Sequence, residues 1–210
     1  MNRTALLTAL APLIWGTSYL TTTELLPPDR PFLTATLRAL PAGLLLLAIT
    51  RTLPRRHWWW RAATLGALNI GGFFGFMFVS AYRLPGGVAA TLPAIHPLLV
   101  AALAGVVVHE RVRPLARAAA ALGFVGVAAI VLTPDARLDA WGVTAGLLAG
   151  ASTAGGVLLT KRWGRPVPLL TFTAWQLVAG GLILAVPMVL LEGAPPALTA
   201  THAAGYLWLA

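Results

Sequence analysis

The sequence of 210 residues contains no cysteine and very little charge. Without cysteine, the chain can form no disulfide, no thiol nucleophile and no cysteine-ligated zinc or iron–sulfur site. Charged residues make up 10% of the chain, whereas an ordinary soluble domain has about 25%. Hydrophobic residues make up 58%, and the few charges could not cover the surface of a soluble domain of this size. The composition therefore indicates a membrane protein.

The charged residues separate long intervals that are uncharged or nearly so. A helix needs roughly 20 apolar residues to cross about 30 Å of hydrocarbon. Seven intervals meet or approach this length: 4–23, 31–50, 62–82, 84–108, 118–134, 140–160 and 166–191. The fifth is short and is expected to begin near Pro114, and an eighth, from about Ala203, stops too soon to cross. The first is longer than the 7–15 apolar residues typical of a signal-peptide core, so it is interpreted as a span.

Because lipid offers the backbone no hydrogen-bonding partner, each interval is predicted to be a helix. We therefore predict an all-α integral membrane protein whose surroundings are the lipid bilayer. Its fold is expected to be a polytopic bundle of seven complete transmembrane helices and the start of an eighth.

The basic residues predict the orientation of the helices. If the N-terminus is cytoplasmic, eleven of the fifteen lysine and arginine residues lie on the cytoplasmic side. They are Arg3, Arg51, Arg55, Arg56, Arg61, Arg111, Arg113, Arg117, Lys161, Arg162 and Arg165. Three basic residues and five of the six acidic residues then lie outside. Since lysine and arginine bias sets orientation, we expect a multi-pass protein of the cytoplasmic membrane with its N-terminus in the cytoplasm.

The stretch RTLPRRHWWWR at residues 51–61 combines four arginines with three consecutive tryptophans. Such a mixture can bind nucleic acid, with cations on phosphates and rings on bases. It can also anchor a loop at a membrane surface, where arginines bind anionic headgroups and indole rings partition. Because the stretch links the second and third predicted spans on the basic side, we interpret it as a cytoplasmic interface anchor with no nucleic-acid partner. The anchor residues are Arg55, Arg56, Trp58, Trp59 and Trp60.

Part of the second predicted span recurs in the seventh. Residues 33–44, LTATLRALPAGL, and residues 170–181, LTFTAWQLVAGG, are identical at six of twelve positions. A unit of five helices is odd, so a tandem copy must have the opposite orientation in the membrane, as in many secondary transporters. The repeat predicts two domains, a five-helix unit at 4–134 and an incomplete second unit at 140–210.

Several motifs together resemble the drug/metabolite transporter (DMT) superfamily, and within it the EamA type. WGTSY, beginning at Trp15, is similar to the tryptophan–glycine signature of that family's first helix. Arg38 is similar to an arginine often found in the second helix. TLPAIHPLLVAALAGVVVHERV resembles the fourth, in which a mid-helix proline, here Pro97, precedes a terminal acidic residue, here Glu110. The likeness extends over the whole chain through the order and spacing of these motifs.

The resemblance implies ten helices in two halves, so these residues would lack part of the second half. It implies a secondary transporter, an exporter or facilitator, that moves a small metabolite, an amino-acid-like or a drug-like solute by alternating access. The alternative is a non-transporting or degenerate membrane scaffold or partner subunit that lacks the last helices. Assembly into a homo-oligomer is left open.

Enzyme chemistry has little support in the residues. The predicted spans contain no cluster of carboxylates or histidines, and the chain shows no metal-ligand spacing and no glycine-rich phosphate loop. A membrane enzyme would normally show paired acids or histidines at one interface. We therefore expect no catalytic residue, no metal site and no cofactor.

The first span carries a helical stripe that includes Pro12, Trp15, Ser18 and Tyr19. Hydroxyl groups, a proline and aromatic rings on one face are typical of a helix that faces a cavity. The alternative is plain packing between helices, with Pro12 as a kink.

Arg38 lies within the second span, where a charge costs a few kcal/mol unless it pairs, snorkels or faces water. It is interpreted either as the cation for an anionic or zwitterionic substrate group, or as a snorkelling residue paired with Glu24 or Asp29.

Further substrate-path candidates lie in later spans. Phe74, Phe78 and Tyr82 share one side of the third helix and could line an apolar chamber or simply pack against lipid or core. His96, beside the expected kink at Pro97, is interpreted as a proton carrier or substrate contact, or as a neutral hydrogen-bonded side chain. Gln176 is the one side-chain amide of the seventh span and a candidate partner across the repeat interface. Since no acid lies deep in a span, movement down the solute's gradient is expected unless His96 or further helices couple it to protons.

The predicted orientation is testable with single cysteines in this cysteine-free chain. His57→Cys and Arg162→Cys should react with a membrane-impermeant thiol reagent only from the cytoplasmic side, whereas Asp139→Cys should react only from outside, because the positive charges are retained in the cytoplasm. Labelling of intact cells and of inverted vesicles measures this. The reverse pattern at any of the three positions would overturn the charge argument.

Overall fold

The computed structural model describes residues 16–107, 114–131, 139–195, 197 and 199–209. Pro12, Trp15 and Glu110 lie outside the described residues. Within them every regular element is helical, and no strand is formed. The helices, numbered in chain order, are 16–25 (α1), Pro31–Thr50 (α2), Trp58–Arg83 (α3), the consecutive segments Gly86–Thr91, Leu92–Ile95 and His96–Val107 (α4), Pro114–Val131 (α5), Ala140–Trp163 (α6), Leu169–Glu192 (α7) and Ala200–Leu209 (α8).

Five helical stretches in the described part of the chain are long and apolar enough to cross a membrane. They are Pro31–Thr50, Trp58–Arg83, Gly86–Ala104, Ala140–Trp163 and Leu169–Glu192. The expectation of a helical membrane protein is thereby confirmed. The count of seven spans and the inverted repeat stay predictions.

Local chemistry explains where α2 and α6 begin. Pro31 occupies the first turn of α2, where its missing N–H costs nothing. At α6 the Asp139 side chain accepts a hydrogen bond from the Gly142 N–H at 3.0 Å, which satisfies one of the unpaired donors of the helix end. α6 ends at Trp163, and the following Gly164 has a φ of 71°, which glycine adopts at little cost.

The third helix begins earlier than the sequence predicts. The stretch 51–61 was expected to be a link between helices, but α3 starts at Trp58, so only residues 51–57 form the link and the earlier expectation was wrong. The reason is aromatic packing: the Trp58 ring meets Phe172 edge-on at 6.1 Å, and Trp60 meets Trp163 at 5.0 Å. These contacts with α6 and α7 stabilise the first turn, so the helix begins before the apolar interval that starts at residue 62.

Helices α3 and α4 are not uniformly α-helical. α3 contains a π-helical segment, Ala67–Gly72, and α4 contains a 3₁₀ segment, Leu92–Ile95, directly before His96 and Pro97. Proline has no backbone N–H to continue the i to i−4 ladder, which accounts for the irregularity in α4. π segments of this kind occur frequently at functional sites.

Helices α2 and α7 run antiparallel and in close contact. The backbone N–H groups of Phe32 and Leu33, at the start of α2, donate to the Glu192 carboxylate at the end of α7, at 2.6 and 2.8 Å. At the opposite end, the Trp175 indole N–H donates to the carbonyl of Thr52 at 2.6 Å. Glu192 thus caps α2 from the far end of the sequence.

Small residues permit this closeness. A Cβ atom placed on Gly43 would lie 2.7 Å from the Val178 nitrogen, and one on Gly181 would lie 2.8 Å from the Leu40 Cβ. The same holds between α3 and α6, where Gly156 lies directly against the Asn69 side chain. In a bilayer, association rests on such close packing, since lipid tails are as apolar as leucine.

The outward faces of α2 and α7 are apolar. Leu45, Ile49, Leu182, Val186 and Leu190 are all more than half exposed. Buried polar side chains such as Thr22, Thr34 and Gln176 lie inside instead. A surface of this kind is suited to lipid and would not be stable in water.

The glycine contact between α2 and α7 yields a stability prediction. Gly43→Leu should lower the free energy of unfolding by about 3 kcal/mol, because the new side chain overlaps α7. Gly126→Leu, on α5 with nothing within 4 Å of its Cβ position, is the matched control and should not be destabilising. Unfolding midpoints of the purified protein in detergent micelles measure both. Equal midpoints for the two variants would contradict the packing argument.

Candidate functional site

Three helices meet at the guanidinium of Arg38, the eighth residue of α2. Its Nη1 donates to the Ser18 hydroxyl of α1 at 3.1 Å. Its Cζ lies 5.3 Å from the centre of the Phe74 ring of α3, within cation–π range. Among the described residues, neither Glu24 nor Asp29 forms an ion pair with Arg38. The guanidinium is therefore held by one hydroxyl and one ring.

The aromatic residues of α3 separate into two environments. Phe78 is wholly buried and belongs to the main core, which Tyr19 also packs against. Phe74 is half-buried, and its ring contacts Phe78 at 6.4 Å and Phe73 at 5.4 Å. Of the aromatic rings considered from the sequence on this side of α3, Phe74 is the one that contacts the Arg38 guanidinium.

A hydroxyl pair lies one turn from Arg38. The Thr34 and Tyr82 oxygens are 3.1 Å apart, and the Tyr82 hydroxyl also lies within donating distance, 3.0 Å, of the Pro27 carbonyl. Tyr19, in turn, lines a cavity of about 410 Å³ between α1 and the start of α4. Tyr82 was considered from the sequence as part of the same apolar wall as the phenylalanines of α3, but its hydroxyl contacts were not predicted.

His96 begins the last segment of α4, and its Nε2 is buried with no hydrogen-bond partner among the described residues. The hydrogen-bonded alternative considered from the sequence is therefore not realised at that atom within the described structure. Pro97 follows directly and is exposed.

Gln176 of α7 is buried and pairs with an amide of α3. The Asn69 Nδ2 donates to the Gln176 Oε1 at 2.7 Å, and the Gln176 Nε2 donates to the Phe172 carbonyl at 3.3 Å. Asn69 lies in the π segment of α3. From the sequence, Gln176 was a site candidate but Asn69 was not. Each is the single side-chain amide of an apolar helix, and this pattern could have indicated that they pair.

A second guanidinium, that of Arg61, is enclosed by three indole rings. Its Cζ lies 5.2 Å from Trp58, 5.5 Å from Trp60 and 5.4 Å from Trp163. Trp59 is exposed and takes no part in these contacts. The cluster joins the first turn of α3 to the last residue of α6. The sequence did not indicate that Trp163 belongs to this cluster, because no local pattern shows which residues it contacts.

The remaining interface-anchor candidates, Arg55 and Arg56, are exposed in the link before α3. At the other end of the bundle, Arg83 forms an ion pair with Asp139 at 3.0 Å. The Gly142 backbone N–H, and secondarily the Arg83 side chain, hold the pKa of Asp139 below its usual value. Within the described residues, no group of three acidic or histidine side chains could hold a metal ion.

A bundle with an apolar exterior, several membrane-crossing helices and polar side chains inside defines a multi-pass helical membrane protein. The sequence model of the EamA-like transporter family matches residues 2–132. Protein PecM of Dickeya dadantii is 46% identical over 202 residues, which are 95% of this chain and 68% of PecM. The chain therefore belongs to the EamA-like transporter family, and the resemblance seen in the sequence is confirmed.

More distant relatives are similar over most of the chain. A chloroplastic WAT1-related protein of Arabidopsis thaliana is 29% identical over 187 residues, covering 83% of this chain and 45% of that protein. The uncharacterized transporter YvbV of Bacillus subtilis is 29% identical over 190 residues, covering 87% and 62%. The chain spans less than two thirds of these two relatives. The family is one of transporters rather than enzymes.

The tryptophan cluster around Arg61 yields a second stability prediction. Trp163→Leu should lower the free energy of unfolding by about 1–3 kcal/mol, because it removes a cation–π contact and the edge-on contact with Trp60. Trp141→Leu, at the exposed opposite end of the same helix, is the control and should change it by less than about 0.5 kcal/mol. Thermal unfolding in micelles compares them. A larger effect at Trp141 would show that the cluster does not join the helices.

Proposed function

We propose that the protein is a secondary transporter that moves a small metabolite, amino-acid-like or drug-like solute across the cytoplasmic membrane by alternating access. The observation that carries this proposal is Arg38, a charge within a membrane-crossing helix that has no carboxylate partner among the described residues. Membership of a transporter family gives the functional class. Arg38 gives the solute a binding site inside the bundle.

The physical argument is one of unmet hydrogen-bonding capacity. A guanidinium carries five N–H donors, and among the described residues Arg38 makes one hydrogen bond, to Ser18. An arginine buried in a bilayer is costly unless it is paired or hydrated. A solute carboxylate or carbonyl would accept the remaining donors, while Phe74 and Tyr19 would contact its apolar part. Ser18, Tyr19, Arg38 and Phe74 are therefore the proposed solute contacts, with Trp15 as a predicted further member.

Alternating access would use the two predicted repeats, 4–134 and 140–210. Gly43 of α2 packs on Leu177 of α7, and Gly181 of α7 packs on Leu40 of α2. The repeat equates Leu40 with Leu177 and Gly43 with Gly180, so the two contacts correspond to within one residue about the expected pseudo-twofold axis. We propose that rocking about this contact exposes Arg38 to each side in turn, with the N-terminus in the cytoplasm.

The Arg61 cluster is proposed to close the cytoplasmic end. It joins α3 of the first repeat to α6 of the second, and separation of the halves would break it. Trp59, Arg55 and Arg56, which are exposed beside it, would hold this end at the headgroups. Energy would come from the solute's own gradient, and His96 is the alternative route for protons.

The test of the proposed function is solute flux into proteoliposomes, measured with a panel of labelled amino acids and aromatic acids. For any solute that the wild type moves, Arg38→Gln should lower the flux at least tenfold, because the amide offers fewer donors and no charge. Arg38→Lys should keep part of the flux. Arg162→Gln, which changes an exposed arginine, is the control and should leave flux unchanged.

Two results would contradict the proposal. Unchanged flux in Arg38→Gln would exclude Arg38 as a solute contact. The absence of flux for every solute in the panel would favour the non-transporting scaffold. An imposed pH gradient separates the energy sources, since a facilitator ignores it.

A further inference from the structure

A cavity of about 340 Å³ lies between α3, α6 and α7, apart from the contacts of Arg38. Its walls are apolar and include Val157 and Phe172. Asn69 and Gln176 lie at one end, and Arg165, just beyond the end of α6, lies at the other. The volume is near the lower limit of ligand pockets, about 300 Å³, and suits a small solute.

The polar end of the cavity lies deep in the protein. Asn69 is eleven residues from Trp58, the start of α3, which corresponds to roughly 17 Å of helix. Each amide of the Asn69–Gln176 pair carries two N–H groups, and hydrogen bonds with described residues use one N–H of each. Asn69 Oδ1 is also buried and has no hydrogen-bond partner in the described part of the chain. The pair therefore keeps hydrogen-bonding capacity at membrane depth.

The backbone around Asn69 shows a second sign of a built site. Residues Ala67–Gly72 form a π segment, and Gly156 of α6 leaves room for the Asn69 side chain where any larger residue would overlap it. A π segment costs regular hydrogen bonding and occurs frequently at functional sites. Packing alone would be served by an apolar residue at position 69.

The charge at the mouth selects the solute. Arg165 is exposed, and no carboxylate among the described residues is paired with it. Next to it the walls become apolar, and Thr160 and Thr173 add hydroxyl groups. A molecule with a carboxylate for Arg165 and an apolar body for Phe172 and Val157 would fill the space.

We infer that this cavity is a second solute site, an entry vestibule for small carboxylic acids with an apolar body. The inference rests on the proposed transport function and assigns the solute class and the route of entry. The carboxylate stays beside Arg165 at the membrane surface, where charge is least costly, and the body reaches towards the Asn69–Gln176 pair. In the proposed orientation, Arg165 faces the cytoplasm.

The absence of cysteine allows a test that does not depend on transport. Thr173→Cys places one thiol in the cavity, and Leu182→Cys, on the outer face of the same helix, is the matched control. The probes are methanethiosulfonates bearing either a sulfonate or a trimethylammonium group. In each case the cysteine thiolate attacks the probe sulfur, forms a mixed disulfide and releases methanesulfinate.

We expect the anionic probe to modify Thr173→Cys several times faster than the cationic probe, because Arg165 attracts it. 4-Phenylbutyrate should slow the modification at least threefold, whereas the neutral 4-phenylbutanol should not. Arg165→Gln should abolish both the preference and the protection. Leu182→Cys, facing lipid, should react with neither charged probe.

Other outcomes would overturn the inference. If Thr173→Cys reacts only with the membrane-permeant N-ethylmaleimide, lipid fills the cavity. Equal rates for both probes without protection by 4-phenylbutyrate would show a water-filled space that does not recognise acids. Val157→Cys, on the facing wall, repeats the test if Thr173→Cys fails to fold. Protection without any solute flux would contradict the transport proposal alone, and flux without protection would contradict the vestibule alone.

Discussion

Helices α2 and α7 pack so closely that neither Gly43 nor Gly181 could carry a Cβ atom without overlap. The contact is locked at both ends, by Glu192 on the first turn of α2 and by Trp175 on Thr52. Within a bilayer the hydrophobic effect does not drive helices together, so close packing and buried hydrogen bonds must. α3 and α6 pack alongside this pair, and the positions of Arg38, Asn69 and Gln176 depend on it.

The two enclosed arginines illustrate how depth changes the use of one side chain. Arg61 lies in the first turn of α3, among three indole rings whose faces lie within cation–π range of its guanidinium. Arg38 lies within α2 with one ring and one hydroxyl. A guanidinium so placed is most stable when an acceptor joins it. The arrangement around Arg61 suits a structural contact between helices. The arrangement around Arg38 suits a binding site in which a solute supplies the missing acceptor.

The π segment of α3 joins the two proposed sites. Asn69 lies within this segment, which ends at Gly72. Phe74, which contacts Arg38, lies two residues beyond it. A single helix thus carries one contact of each site on neighbouring turns. Movement of α3 against α6 and α7 would alter both, which gives the vestibule and the Arg38 site a shared physical element.

The amino-acid sequence alone determined the class of this protein. Long apolar intervals of this length form helices in lipid, so the limits of α2 at residues 31–50 follow from Arg30 and Arg51, the charges that flank it. It also singled out Arg38 and Gln176, because a charge or an amide is conspicuous among apolar residues. The order of motifs was enough to indicate the family.

Tertiary structure decided what those residues touch. Arg38 pairs with Ser18 and Phe74 rather than with Glu24 or Asp29, and Gln176 pairs with Asn69. The start of α3 at Trp58 and the enclosure of Arg61 depend on Trp163 and Phe172, which are more than a hundred residues away. Sequence spacing shows which residues share one face of a helix. Which residues they contact depends on which helices pack together and at which positions along their length. That choice depends on glycine contacts between distant segments, and no local pattern contains it.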